Sequence, residues 1–322
     1  MSTLAPAKPG NSRLTALTRY AIVWATLALF VTLALTTPGF FSGANLTNIV
    51  HQQAALLIVV APLTLTLIAG SFDVSLSAIY VTAPLVAIQV GNATGSIPLA
   101  VVAGIVTGIL CGVLNGVLVV VFHINSFLAT LATSFIIFGF AYIASEQSIL
   151  SPADPAFREL ATTRWLGVTT ATWMAVGVIA VFWVILARTR YGRYVYATGA
   201  NRAAAELSGV RTGLIIASTF VAVGAASGFA GVVNASQSMS AQASDSFTFV
   251  FSAIAAVVVG GTSISGGSGA VWRSVVGAVF IALLGNGFNL NQVDPILQRI
   301  ILGVVILLAV GIDAMGRHRR QH

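Results

Sequence analysis

Two stretches interrupt long apolar runs with small and polar residues: Ala69-Gly70-Ser71-Phe72-Asp73-Val74-Ser75-Leu76-Ser77 and Gly260-Gly261-Thr262-Ser263-Ile264-Ser265-Gly266-Gly267-Ser268-Gly269. Backbone that leaves a helix at membrane depth must line a cavity or be buried in protein, because lipid cannot satisfy its hydrogen bonds. Glycine-broken segments in both halves of a chain point to a translocation path where they meet; the alternative is a pair of ordinary turns near the surface. Asp73, Ser75, Thr262, Ser263 and Ser265 belong to these stretches, and Asn115 and Asn286 each precede a glycine late in an apolar run. Hydroxyls and amides suit a neutral polyhydroxylated solute better than an ion, and they suit hydrogen bonds between helices equally well. Asp73 is the only acid near an apolar run in the first 140 residues. An ionisable group there either faces a wet cavity or a partner, or caps the next helix by accepting the amides of Ser75 or Leu76.

Other chemistries are poorly supported. Gly266-Gly267-Ser268-Gly269 fits a Gly-x-Ser-Gly string of intramembrane serine proteases, but a serine nucleophile needs a base within reach, and no histidine follows before His318. His51, His123, His318 and His322 are far apart, no H-E-x-x-H occurs, and Cys111 stands alone in an apolar segment, so no metal, cofactor or disulfide is expected. The phosphate-cradling G-x-x-x-x-G-K-[ST] is missing as well, so the chain is expected to be no enzyme and to hydrolyse no ATP by itself.

The elements that position these residues follow from composition. Of 322 residues, 57% are hydrophobic and only 7% charged, against about 25% charged in a soluble domain. Such a chain cannot clothe a water-facing surface. Runs such as 101–121 are apolar on every side, which excludes a transmembrane β-barrel with its polar inward face. The expected fold is all-α: a polytopic membrane protein of about ten transmembrane helices, at roughly 18–38, 46–69, 73–91, 96–122, 126–146, 169–188, 212–235, 248–262, 269–288 and 295–313. The formal charge of +7 forms no basic stripe, so nucleic acid is not an expected partner; the lipid bilayer is.

With an even number of spans both termini share one side. Lys8, Arg13, Arg19, Arg188, Arg190, Arg193, Arg202, Arg211, Arg273, Arg317, Arg319 and Arg320 fall on that side, which the positive-inside rule makes cytoplasmic. The expected organisation is a flexible N-terminal tail over 1–17, a transmembrane domain over 18–313 whose first span, from Ala21, is not cleaved, and a basic tail over 314–322. A cytoplasmic loop over 189–211 is the most distinctive polar segment. In it Asn201 caps a short alanine-rich helix stopped by Gly209, shaped to dock another protein or to anchor on lipid headgroups. Gly104, Gly108, Gly112 and Gly116 recur every fourth residue, a spacing that lets two helices approach closely in lipid. A weak internal repeat runs from a glycine-polar break to an Asn-Gly pair in each half, Gly70 to Gly116 and Gly261 to Gly287.

Three motifs in this order resemble a known family: Asn115-Gly116 through Asn125-Ser126-Phe127-Leu128-Ala129-Thr130-Leu131; Arg188-Thr189-Arg190-Tyr191-Gly192-Arg193-Tyr194-Val195-Tyr196-Ala197-Thr198-Gly199-Ala200-Asn201-Arg202-Ala203-Ala204-Ala205-Glu206-Leu207-Ser208-Gly209; and Ala253-Ile254-Ala255-Ala256-Val257-Val258-Val259-Gly260-Gly261-Thr262-Ser263-Ile264-Ser265-Gly266-Gly267. Over about residues 40–313 the chain is similar to the permease subunit of ribose-type bacterial ATP-binding cassette (ABC) sugar importers. The resemblance implies the ABC importer permease fold in a bacterial inner membrane and a monosaccharide or polyol as solute. The partners implied are a second permease, identical or not, ATP-binding cassette subunits on the cytoplasmic face, and a periplasmic sugar-binding protein. It also implies that Arg193, Gly199, Asn201, Ala204, Glu206, Leu207 and Gly209 couple the chain to the ATPase. The competing expectation is a secondary active sugar transporter or facilitator, which would ordinarily carry more charge within its spans.

Overall fold

The computed structural model describes residues 20–245 and 247–321. The tail expected over 1–17, with Lys8 and Arg13, lies outside the described residues, as do Arg19 and His322. The helices are α1 (Ala21–Thr36), α2 (Gly43–Gln52), α3 (Ala54–Ile68), α4 (Leu76–Thr94), α5 (Ile97–Val120), α6 (Ser126–Ser145), the short α7 (Glu159–Thr162), α8 (Thr170–Arg188), α9 (Arg190–Ala200), α10 (Arg202–Leu207), α11 (Thr212–Ser238), α12 (Thr248–Val259), α13 (Val271–Leu290) and α14 (Pro295–Gln321). Two-residue strands β1 (Ile149–Leu150), β2 (Arg164–Trp165), β3 (Val168–Thr169) and β4 (Ala241–Gln242) form two antiparallel pairs, β1 with β4 and β2 with β3. Helix starts follow from local chemistry: Ser42, Ser96, Asn125, Thr189 and Asn201 each accept an amide of the turn they begin.

Among the described residues six helices, α4, α5, α6, α8, α11 and α13, are long and apolar enough to cross a bilayer. The pair α2 and α3, bent by 49°, makes a seventh. The sequence leads one to expect about ten full spans; α1 and α12 are apolar and shorter, and α14 begins with the apolar stretch Pro295–Val305. For α12 the reason is local. Its 12 residues end at Val259, giving about 18 Å at 1.5 Å per residue against a hydrocarbon core of about 30 Å.

The centre of the bundle is α3, all of whose residues are buried. It packs against α8, α11, α12 and α13. A helix apolar on every side has no surface to reserve for water. Beside it α5 and α11 run antiparallel in backbone contact. A Cβ on Gly108 would collide with the Gly224 carbonyl, one on Gly228 with the Gly104 carbonyl, and one on Gly112 would lie 2.5 Å from that of Phe220, while Gly116 faces Ala217. The opposite side of α5 exposes Leu99, Val102, Val106, Leu110, Val113 and Val117. Glycine thus sits where helix meets helix, and branched residues where the bundle would meet lipid.

Candidate functional site

The first broken segment links α3 to α4, and its polar groups are held by other helices. Asp73, Ser75 and Asn115 are all fully buried. The Asp73 Oδ1 accepts the Ser75 amide at 2.9 Å and its hydroxyl at 2.6 Å. Asn115 of α5 donates its amide to the Ser75 Oγ at 2.7 Å, and its Oδ1 accepts the Thr133 hydroxyl of α6 at 2.7 Å. Two amides of the break are held from α6, with Phe72 N donating to Ser126 Oγ and Val74 N to Thr130 Oγ1, both at 3.0 Å. Ser77 accepts the Val250 amide in the first turn of α12 at 2.9 Å. Among the described residues the buried Asp73 Oδ2 has no hydrogen-bond partner.

The second broken segment follows α12 and repeats the ending of α3. Gly70 and Gly261 both take positive φ, 80° and 82°. In each, the glycine amide bonds back to the carbonyl three residues earlier, and the next amide to the one five earlier: Gly70 to Leu67 and Ser71 to Thr66, Gly261 to Val258 and Thr262 to Val257. This is the Schellman ending, in which glycine adopts a left-handed backbone without a Cβ penalty. Thr262 and Ser263 are buried and Ser265 is exposed. The Thr262 hydroxyl lies 3.2 Å from that of Ser274, and the amide of Ser265 donates to Ser263 Oγ at 3.3 Å. The two breaks touch, because the Gly267 amide donates to the Ile68 carbonyl at 2.8 Å.

At the same end of the bundle α9 and α10 form a corner. Asn201 accepts the Ala204 amide at 3.0 Å, and Gly209 stops α10 with φ 82°. Ala205 is buried, whereas Arg193, Ala204 and Glu206 are exposed and Leu207 is 92% exposed. Glu206 pairs with Arg202 at 3.1 Å and accepts the Thr212 hydroxyl. The hydroxyl and then the guanidinium hold its carboxyl below the usual range. α9 is pinned from behind: the Tyr191 and Ser218 hydroxyls lie 2.7 Å apart, and Tyr196 donates to the Gly269 carbonyl at 2.8 Å. Burial pushes the Tyr196 phenol up, keeping it a donor.

Asn286 does not join either break. It exchanges two amide hydrogen bonds with Asn45, at 2.9 and 3.1 Å. Asn45 lines an open cavity of about 410 Å³ together with Thr47, Asn48, His51, Thr162, Arg164 and Thr169. The His51 ring lies 2.9 Å from the Thr169 hydroxyl, and Gln237 donates to the His51 carbonyl at 2.8 Å. The candidate path residues therefore fall into three groups: Asp73, Ser75 and Asn115; Thr262, Ser263 and Ser265 beside α9; and Asn286 near the cavity. Reading the sequence missed Ser126, Thr130 and Thr133, whose spacing of four and three residues marks one helical stripe. It also missed Ser77, His51 and Gln237. Among the described residues no group of three or more His, Cys, Asp or Glu could hold a metal.

A family model described as "Branched-chain amino acid transport system / permease component" matches residues 45–310. The ribose import permease protein of Escherichia coli (strain K12) is 33% identical over 296 residues, covering 90% of this chain and 91% of the relative. The L-arabinose transport system permease protein of the same organism is 33% identical over 298 residues, 92% and 90% of the two chains. The L-arabinose ABC transporter permease protein of Azospirillum brasilense is 30% identical over 320 residues, 99% and 94%. No solved structure matches. With its apolar crossing helices, the chain is a multi-pass inner-membrane protein and a transport subunit, not an enzyme. A match over most of its length and relatives above 30% identity place it in one group: it belongs to the family of transport-system permease components.

Proposed function

We propose that this chain is the membrane-spanning permease of an ABC importer that carries a monosaccharide or related polyol inward, driven by ATPase subunits docked on α9 and α10. The observation that carries the reading is the meeting of both glycine-broken segments with the corner whose outer side offers Leu207, Ala204 and Arg193. A chain without a phosphate-cradling loop needs such a surface to receive work from another protein. The carboxyl, hydroxyl and amide groups of Asp73–Ser75–Asn115, Thr262–Ser263–Ser265 and Asn286 belong to the solute path in this reading. They are reached in turn as the broken segments move, and they recognise a neutral solute by hydrogen bonds. The relatives named for ribose and arabinose support an aldose as that solute.

The remaining architecture in this proposal places the membrane domain over 18–313. The shorter helices α1 and α12 and the apolar start of α14 complete ten membrane-embedded segments, both tails are cytoplasmic, and 189–211 is the coupling loop. The partners are a second permease, ATP-binding cassette subunits below and a periplasmic sugar-binding protein above. The test is accumulation of labelled pentoses and hexoses by proteoliposomes holding the assembly. ATP-dependent accumulation of an aldose is expected. Uptake by the permease alone, or uptake driven by an ion gradient, overturns the reading in favour of a secondary transporter or facilitator. Co-purification gives a second arm: an ATP-binding subunit stays with the wild-type chain and is lost from Ala204→Trp.

A further inference from the structure

α9 ends in a junction that touches both broken segments at once. A Cβ on Gly199 would collide with the Ile68 carbonyl, at the C-terminal end of α3, and come within 2.7 Å of the Gly267 amide nitrogen. Those two groups are the acceptor and donor of the 2.8 Å hydrogen bond that joins one break to the other. On the far side a Cβ on Gly266 would lie 2.9 Å from Gly70 Cα and 3.0 Å from the Gly199 oxygen, and one on Gly267 would lie 2.8 Å from Ala200 Cα. Three segments remote in sequence, 68–70, 199–200 and 266–267, thus meet mainly through backbone atoms. Tyr196, three residues before Gly199, adds its hydrogen bond to the Gly269 carbonyl. Two residues after Gly199 comes Asn201, the cap of α10.

Side chains at an interface can absorb a small displacement by changing rotamer. Bare backbone in contact cannot, so a shift at Gly199 is passed on to its neighbours. The glycines at Gly70 and Gly261 supply the complementary property, a left-handed link at which each broken segment leaves its helix.

We infer that Gly199 and Tyr196 are positioning residues for transport, through which a displacement of α10 moves the 68–70 and 266–269 segments together. This rests on α10 being the docking element and adds how its movement reaches the path: one rigid contact serves both breaks, so they rearrange in a single step. The experiment uses the complete assembly, with its ATPase subunits and solute-binding protein, in proteoliposomes supplied with the aldose that the wild type accumulates. The readout is solute moved per ATP hydrolysed. Gly199→Ala is expected to retain the ATPase subunits and to hydrolyse ATP while moving at least ten-fold less solute per ATP. Tyr196→Phe removes one neutral hydrogen bond without adding bulk, and is expected to lower the ratio about five-fold while the assembly stays folded and retains its ATPase subunits. A wild-type ratio in Tyr196→Phe overturns the inference, and it decides alone if Gly199→Ala fails to assemble. A wild-type ratio in an assembled Gly199→Ala overturns it as well. Failure of the underlying reading looks different, because Ala204→Trp would then keep its ATPase subunits.

Discussion

Asn115 joins Ser75 to Thr133: its amide donates to one hydroxyl and its oxygen accepts from the other, each at 2.7 Å. A single residue of α5 thereby ties the break after α3 to α6, and Asp73 to both through Ser75. Replacing it with leucine keeps the volume and removes one hydrogen bond from each of two buried hydroxyls, Ser75 keeping Asp73 and Thr133 keeping the Thr130 carbonyl. Asn115→Leu is expected to cost about 1–3 kcal/mol, each of the two lost hydrogen bonds contributing roughly 0.5–1.5. Thermal denaturation of the detergent-solubilised protein reads this as a lower Tm; an unchanged Tm would show that the hydroxyls find other partners.

The glycine contact between α5 and α11 makes a paired prediction. Gly108→Ala places a methyl against the Gly224 carbonyl, whereas Gly139, in α6, has nothing within 4 Å of its Cβ position. The first is expected to destabilise by about 1–3 kcal/mol as the two backbones separate. The second is expected to be neutral or to stabilise by up to about 1 kcal/mol through helix propensity. Urea or thermal unfolding of both variants checks the contrast.

Asn45 and Asn286 clasp α2 to α13 through two reciprocal amide bonds. A double-mutant cycle with Asn45→Ala and Asn286→Ala is expected to give a coupling of about 1 kcal/mol. Additive effects would mean that the clasp is replaced by water from the adjoining cavity.

Glu206 predicts a local pH response. Its folded-state pKa lies below the ordinary value because it accepts from Thr212 and pairs with Arg202. A depressed carboxyl stabilises in its charged form, so the contribution is complete above the ordinary carboxyl pKa and is lost as pH falls through the lowered one. Hydrogen-exchange protection of the Ala204–Gly209 amides should hold from pH 8 to about 5 and decline below about 4. Glu206→Gln should be flat over that range.

The helical membrane class was legible because a chain with 7% charged residues has no soluble alternative. The corner at α10 was legible too, since Asn201 and Gly209 act through their own local backbone, which sequence encodes directly. Helix ends beside the breaks were less so. α12 was expected to reach 262 and stops at Val259, and α4 was expected from 73 and starts at Leu76, because several glycines and serines in a row offer several stopping points. Asn286 was grouped with Asp73 because both are polar near an apolar run, yet it is paired with Asn45. Residue type says what a side chain can bond, and only packing says which partner is near. Ser126 and Thr130 stand in a motif that carries the resemblance, yet neither they nor Thr133 reads as a site residue, because single hydroxyls in an apolar run look neutral; their common stripe is the signal available.

Every residue of α3, from Ala54 to Ile68, is enclosed by neighbouring helices, although its composition is one that acyl chains would welcome. Lipid is a forgiving neighbour that reshapes around whatever outline it meets; folded protein is not. Swaps among Leu, Ile and Val should therefore pass unnoticed on the outer side of α5 and be felt in α3, where greasiness is preserved but contour is altered. For this permease a segment composed as if for the bilayer is one in which a change of side-chain shape is felt.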